Sequence, residues 1–145
     1  MKVLLQVVNH ANVVINQKIH NQIEKGYLLF VGIGKEDTEV VIKEMAQKIS
    51  KLRVLPDENG KTNLDIFSIS GEILSISQFT LYANTNGSNR PDFLNAAGRE
   101  QAKHLYDLFN EELKSKGLVV KDGVFGADMK INLENNGPFT ILLEM

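Results

Sequence analysis

Two short stretches hold most of the groups that could do chemistry. Ser75-Ile76-Ser77-Gln78-Phe79-Thr80-Leu81 sets hydroxyls and an amide into an otherwise apolar run. Buried polar groups need hydrogen-bond partners, so such side chains on a strand either face solvent or serve a site. Strict alternation puts Gln78 and Thr80 on one face, which is ordinary for a strand with a wet side. The second stretch is Asn136-Gly137-Pro138-Phe139-Thr140. Gly-Pro ahead of a strand normally makes a turn. A proline peptide bond can also be cis. Two successive carbonyls would then point the same way, as a rigid acceptor pair suited to an ammonium group. From these residues alone both readings stay open.

Other motifs fail on inspection. Gly32-Ile33-Gly34-Lys35 suggests a phosphate loop, but Leu29 stands where its first glycine belongs and Glu36 where Ser or Thr should follow Lys35. Asp37 occupies the third glycine position of the dinucleotide fingerprint. The segment reads as a plain turn between strand and helix. His10, His20 and His104 lack metal-ligand spacing. Asp65, Glu72 and Asp92 show no pairing of the kind a two-carboxylate acid/base site needs. No Gly-x-Ser-x-Gly elbow is present. Asn86-Gly87-Ser88 matches a glycosylation sequon, which without a secretion signal means only a turn. Lacking cysteine, the chain has no thiol nucleophile, disulfide or thiolate metal site.

The elements that must position the two stretches follow from periodicity. Val3–Val8 reads as a strand; Val13-Val14-Ile15 and Lys18-Ile19 flank a tight Asn16-Gln17 turn. Tyr27–Ile33 is a nearly unbroken apolar run, expected of a strand buried on both faces. From Glu36 to Leu52 the period changes: Ile42, Met45, Ile49 and Leu52 make a helical stripe, with Asp37 or Thr38 as N-cap. Glu58-Asn59-Gly60 marks a turn, Glu72–Tyr82 an alternating strand, and Ala83–Pro91 a polar surface loop. A second helix carries Ala102, Leu105, Tyr106, Phe109 and Leu113, stopped by Gly117. Ile131-Asn132-Leu133, a turn at Asn135–Pro138, and Phe139–Leu143 close the chain. A layered sheet with helices on one side is expected. At 145 residues and a net charge of −2, one cytosolic domain with no membrane span is the expectation. Net charge leaves a local basic patch open.

Ser77-Gln78-Phe79-Thr80 and Asn135-Asn136-Gly137-Pro138-Phe139-Thr140 resemble the two signature motifs of the D-aminoacyl-tRNA deacylases, also called D-tyrosyl-tRNA deacylases. The likeness runs from end to end. Leu5-Gln6-x-Val8, Gly60-Lys61-x-Asn63-Leu64, Arg90-Pro91-x-Phe93 and Phe125-Gly126-Ala127-Asp128-Met129 follow in the family's order and spacing. The resemblance implies a mixed α/β chain, a layered β/β/α domain over 1–145 with two long helices, acting as a cytoplasmic homodimer. It implies hydrolysis of the ester between a D-amino acid and the terminal adenosine of tRNA, without metal or cofactor. The implied partners are the aminoacyl-tRNA 3′ end and a second copy of the chain, with neither DNA nor membrane. By the same resemblance, Gly137 and Pro138 of one chain, joined by a cis bond, complete the partner's site of Ser77, Gln78, Phe79 and Thr80. Phe125, Ala127 and Met129 would line the pocket around the adenosine.

Such a site could work by positioning and by N–H stabilisation of the oxyanion from Phe79 and Thr80. Thr80 Oγ1 lacks an adjacent base in the sequence, so attack by water helped by the tRNA's own 2′-hydroxyl is favoured over a covalent route. Specificity by steric exclusion would let glycine through. The chain departs from the family at Val7, where Arg is common and could tether the inserted loop, at Thr62 for Met and at Asn12 for Ser. Lys43, Lys48, Lys51, Arg53, Lys114, Lys116 and Lys121 could meet tRNA phosphates, or simply be solvated helix faces. Competing readings are a non-catalytic RNA-end binder, a general esterase or a structural dimer module.

Overall fold

The computed structural model describes residues 1–145. Its elements are β1 (Lys2–Ile15), β2 (Lys18–Ile23), β3 (Gly26–Gly32), α1 (Glu39–Ser50), β4 (Leu55–Pro56), β5 (Thr62–Leu64), β6 (Glu72–Ser77), α2 (Arg99–Ser115), β7 (Val119–Asp122) and β8 (Lys130–Glu144). The two predicted pieces Val3–Val8 and Val13–Ile15 are one long strand, β1. It turns into β2 through Asn16 and Gln17, both at positive φ, as a two-residue hairpin requires. β4 and β5 form a separate small hairpin around Gly60.

β1 organises the main sheet. One edge pairs with β8 along its length; the other pairs with β3 through Lys2–Val8 and with β2 through Ala11–Ile15. β3, β6 and β7 then run parallel. Parallel neighbours need long crossovers, and α1 and α2 supply them. The sheet curls until it nearly closes: Asn21 Nδ2 donates to the Asp122 carbonyl at 2.7 Å, and Lys121 Nζ to that of Gln22 at 2.8 Å.

Curling makes two apolar interiors. Val8, Ala11, Val13, Ile23, Leu28, Leu74 and Ile76 fill the concave side of the sheet. Tyr27, Leu29, Val31 and Ile73 point the other way, onto Ile42, Met45 and Ile49 of α1 and Leu105, Phe109 and Leu113 of α2. The apolar run at Tyr27–Ile33 is thus an alternating strand with oil on both faces, as expected of a parallel neighbour.

Three expectations change. The alternating segment from Glu72 leaves the sheet after Ser77, and Phe79–Tyr82 winds into a 3₁₀ turn. The Asn135–Pro138 turn does not reverse the chain. Both sides of it pair with β1 in the same direction, Asn135 opposite Val8 and Thr140 opposite Gln6, so the intervening residues loop out of one strand. Thr38 is the N-cap of α1 by position but makes no side-chain cap bond. Asp37 instead accepts from Gly34 N at 2.7 Å and from the Met1 ammonium at 2.5 Å.

Gly26, at φ +155, sets how closely β3 and β6 approach: a Cβ there would lie 1.8 Å from the Glu72 carbonyl oxygen. Gly26→Ala should therefore cost about 3 kcal/mol or more in urea unfolding, the upper end of overpacking penalties. Gly60→Ala, at φ +73 with nothing within 4 Å, should cost only about 1–2 kcal/mol. Similar costs at both positions would refute the close-approach argument.

Candidate active site

The carboxyl ends of β3, β6 and β7 share one edge of the sheet, the edge where α/β proteins place ligands. Gln78 N donates the last sheet hydrogen bond, to the Val31 carbonyl at 2.7 Å, before the chain turns. The turn lies across the end of β3 because that strand ends in glycine. A Cβ on Gly32 would meet the Gln78 oxygen and Leu81 Cβ at 3.1 Å each, and one on Gly34 would meet the Tyr82 hydroxyl at 2.6 Å. Gly32 is thus the last residue of β3 and Gly34 bridges Ala96, the turn itself falling at Lys35-Glu36, and the two glycines make room for the Gln78–Tyr82 segment.

Within that segment Gln78 Nε2 donates to Thr80 Oγ1. Phe79 is 56% exposed, and its ring meets Phe93 edge to face with centroids 4.8 Å apart. The chain after β7 folds back over the same edge. Gly123 N donates to the Ser75 carbonyl at 3.0 Å, and Gly126, at φ +76, lets Ala127 N reach the Val124 carbonyl at 3.1 Å. Met129 Sδ packs where a Cβ on Gly123 would be, 2.5 Å from that position.

Between these segments lies a cavity of about 570 Å³, the size range of small-molecule sites. Ser77, Gln78, Phe79, Phe125, Ala127 and Met129 all line it. The structure brings these six together from two segments some fifty residues apart in sequence. Thr80 is exposed just beyond the lining. Gly137 and Pro138 do not reach this chain's own cavity. They stand exposed on the looped-out part of β8, joined by a cis peptide bond.

That loop is held from its base. Asn135 Oδ1 accepts from Phe139 N at 3.2 Å, and Thr140 Oγ1 accepts from Asn135 Nδ2 at 2.8 Å and Gln6 Nε2 at 3.2 Å. Val7 is buried among the core residues facing the helices, so it takes no part. Side-chain amides within the chain do the anchoring.

Sequence reasoning missed Arg99 and Tyr106, which also line the cavity. Tyr106 was legible only as part of a helix stripe; Arg99 carried no signal beyond its place at the start of α2. The Tyr106 hydroxyl donates to the Ser75 carbonyl at 2.9 Å. Burial, chiefly, pushes its phenol up to about 12. No histidine comes near: His104 contacts Glu39 at 3.1 Å, and His10 contacts Glu134 at 3.6 Å.

The chain matches the family model described as D-Tyr-tRNA(Tyr) deacylase over residues 4–144. It belongs to that family. A D-aminoacyl-tRNA deacylase of Lactobacillus acidophilus is 52% identical over 145 residues, the whole of both chains. One from Staphylococcus epidermidis is 49% identical over 144 residues, covering 99% of this chain and 95% of the relative. Among solved structures, c-Myc DNA Unwinding Element Binding Protein superposes with a TM-score of 0.94 at 39% identity, covering 100% of this chain and 99% of that one. A probable eukaryotic D-amino acid tRNA deacylase, at 14% identity and TM-score 0.88 over 99% of this chain and 98% of that one, shares the fold.

In this deacylase-family chain the Tyr106 shift has a stability consequence. A phenol raised from 10.0 to about 12 holds its proton more tightly in the folded state. Its contribution is therefore complete below pH 10 and lost as pH rises toward 12. Urea midpoints should fall over that window, and Tyr106→Phe should flatten the fall while lowering stability below it by about 1 kcal/mol. An unchanged alkaline slope in the variant would contradict this assignment.

Proposed function

We propose that this chain is a chiral editor that works as a homodimer in the cytoplasm, Gly137 and Pro138 of one protomer completing the cavity of its partner. As a member of the deacylase family it hydrolyses D-aminoacyl-tRNA to free D-amino acid and tRNA. What supports the finer reading is that the Gly137-Pro138 loop stands exposed outside this chain's own cavity. The cavity gathers Ser77, Gln78, Phe79, Phe125, Ala127 and Met129, while the exposed loop, anchored by Asn135 and Thr140, does not line it. A second copy could supply what the first lacks.

The substrate ester is already activated, since it lies beside a ribose hydroxyl and an α-ammonium group. Positioning and oxyanion stabilisation are then the protein's main contributions. Phe79 and Thr80 begin a 3₁₀ turn, and the first N–H groups of such a turn have no partner within it. Those two donors would meet the oxyanion. Thr80 Oγ1 is bonded to the Gln78 amide, a donor that cannot remove its proton. Water, assisted by the tRNA's 2′-hydroxyl, is therefore the attacking group. The Gly137 and Pro138 carbonyls would receive the ammonium and leave space on the D side only, so glycyl-tRNA should also be cleaved.

Purified protein with D-tyrosyl-, L-tyrosyl- and glycyl-tRNA should release the D and glycyl esters and spare the L ester. Equal loss of D and L esters would sink the chiral reading, and binding without turnover would favour an RNA-end binder. Thr80→Ala should lose only about tenfold in kcat, the worth of a hydrogen bond. A loss of about a thousandfold or more would make Thr80 the nucleophile. Asn135→Ala, which frees the loop base, should raise L-tyrosyl-tRNA cleavage relative to D by about tenfold; unchanged discrimination would remove the loop from the editing step.

A further inference from the structure

The cavity wall carries one cation. Of its 16 lining residues Arg99 alone is basic, and Asp128 alone is acidic. Arg99 opens α2, and its guanidinium lies across Gly126, in the loop that also presents Phe125 and Ala127. A Cβ at Gly126 would come within 3.1 Å of Nη2 and 3.3 Å of Nη1, so both terminal nitrogens are held against backbone that carries no side chain.

No carboxylate takes up this charge. Both oxygens of Asp128 receive Lys130 Nζ, each at 2.8 Å, and Arg99 makes neither an ion pair nor a side-chain hydrogen bond within the chain. The rest of the wall is mainly apolar and aromatic, through Phe79, Phe125 and Met129. A flat apolar group with an anion at one end matches such a wall. Guanidinium offers its donors in a planar fork suited to phosphate oxygens.

We propose that Arg99 reads the 5′-phosphate of the terminal nucleotide, so that the cavity takes a nucleoside monophosphate unit rather than a bare nucleoside. This rests on the deacylase reading of the same cavity. Base and ribose lie among the aromatic side chains, and the phosphate that joins the last nucleotide to the rest of the RNA lies on Arg99. The contact fixes how far the 3′ end enters, and hence where the ester sits relative to the Phe79–Thr80 turn.

Calorimetric titration of the full-length protein with adenosine 5′-monophosphate and with adenosine tests this. Wild type should bind the monophosphate roughly tenfold or more tightly, the effect of a hydrogen bond to a charged group. Arg99→Gln should bring the monophosphate down to the adenosine value, and Arg99→Lys should keep part of the difference as a point charge. With D-tyrosyl-tRNA, Arg99→Gln should raise KM far more than it changes kcat. A wild type that binds the two ligands equally, or an Arg99→Gln variant that keeps the full preference, overturns the proposal. Because Arg99 is exposed, unchanged thermal unfolding of the variant is expected and separates lost contact from lost fold. Phosphate preference without D-ester hydrolysis would sink the deacylase reading and leave this contact standing; hydrolysis without preference would do the reverse.

Discussion

Parallel pairing of β3, β6 and β7 is the constraint from which the site follows. Strands that run the same way must be joined by crossovers, and each crossover returns over the sheet as a helix. The carboxyl ends of the strands and the first turn of α2 therefore meet at one edge. A cavity forms there because the segments leaving β6 and β7 fold over that edge from two sides. Close packing between β3 and β6 at Gly26, and between the end of β3 and the Gln78–Tyr82 turn, keeps the edge in register.

The chemistry that such an edge can do is set by what it lacks as well as by what it holds. Thr80 Oγ1 is bonded to the Gln78 amide, the Tyr106 hydroxyl is spent on the Ser75 carbonyl, the contacts of His10 and His104 lie elsewhere, and the walls are largely apolar and aromatic. That is a poor place to generate a nucleophile and a good one to hold an ester that already carries its own activating groups. Tyr106, neutral at physiological pH like any phenol and held so further into the alkaline range by burial, donates to the Ser75 carbonyl beneath the cavity. The one basic group on the cavity wall is Arg99.

The looped-out part of β8 shows how a chain with Val7 can still fix an exposed loop. Strand pairing on both sides of the loop holds its ends, and the side chains of Asn135, Thr140 and Gln6 tie its base. Those bonds are local to one edge of β1. The loop is thus held at its root and exposed at its tip.

The sequence by itself determined the two helix stripes, the strands at Val3–Val8, Tyr27–Ile33 and from Glu72, and both signature motifs, though not the strand at Val119–Asp122. These depend on period and on short residue strings, which neighbouring residues impose directly. It misjudged the end of β6 and the character of the Asn135–Pro138 segment, because alternation continues past Ser77 although the hydrogen-bonding partners stop there. Only the tertiary structure brought Ser77–Phe79 together with Phe125–Met129, left Gly137 and Pro138 outside their own cavity, and put Arg99 and Tyr106 on its wall. Arg99 reads as any surface arginine at a helix start, and Tyr106 as one more core aromatic. Their place on the wall comes from the crossover that lays α2 against the carboxyl ends of the strands, a long-range contact that local sequence pattern does not encode.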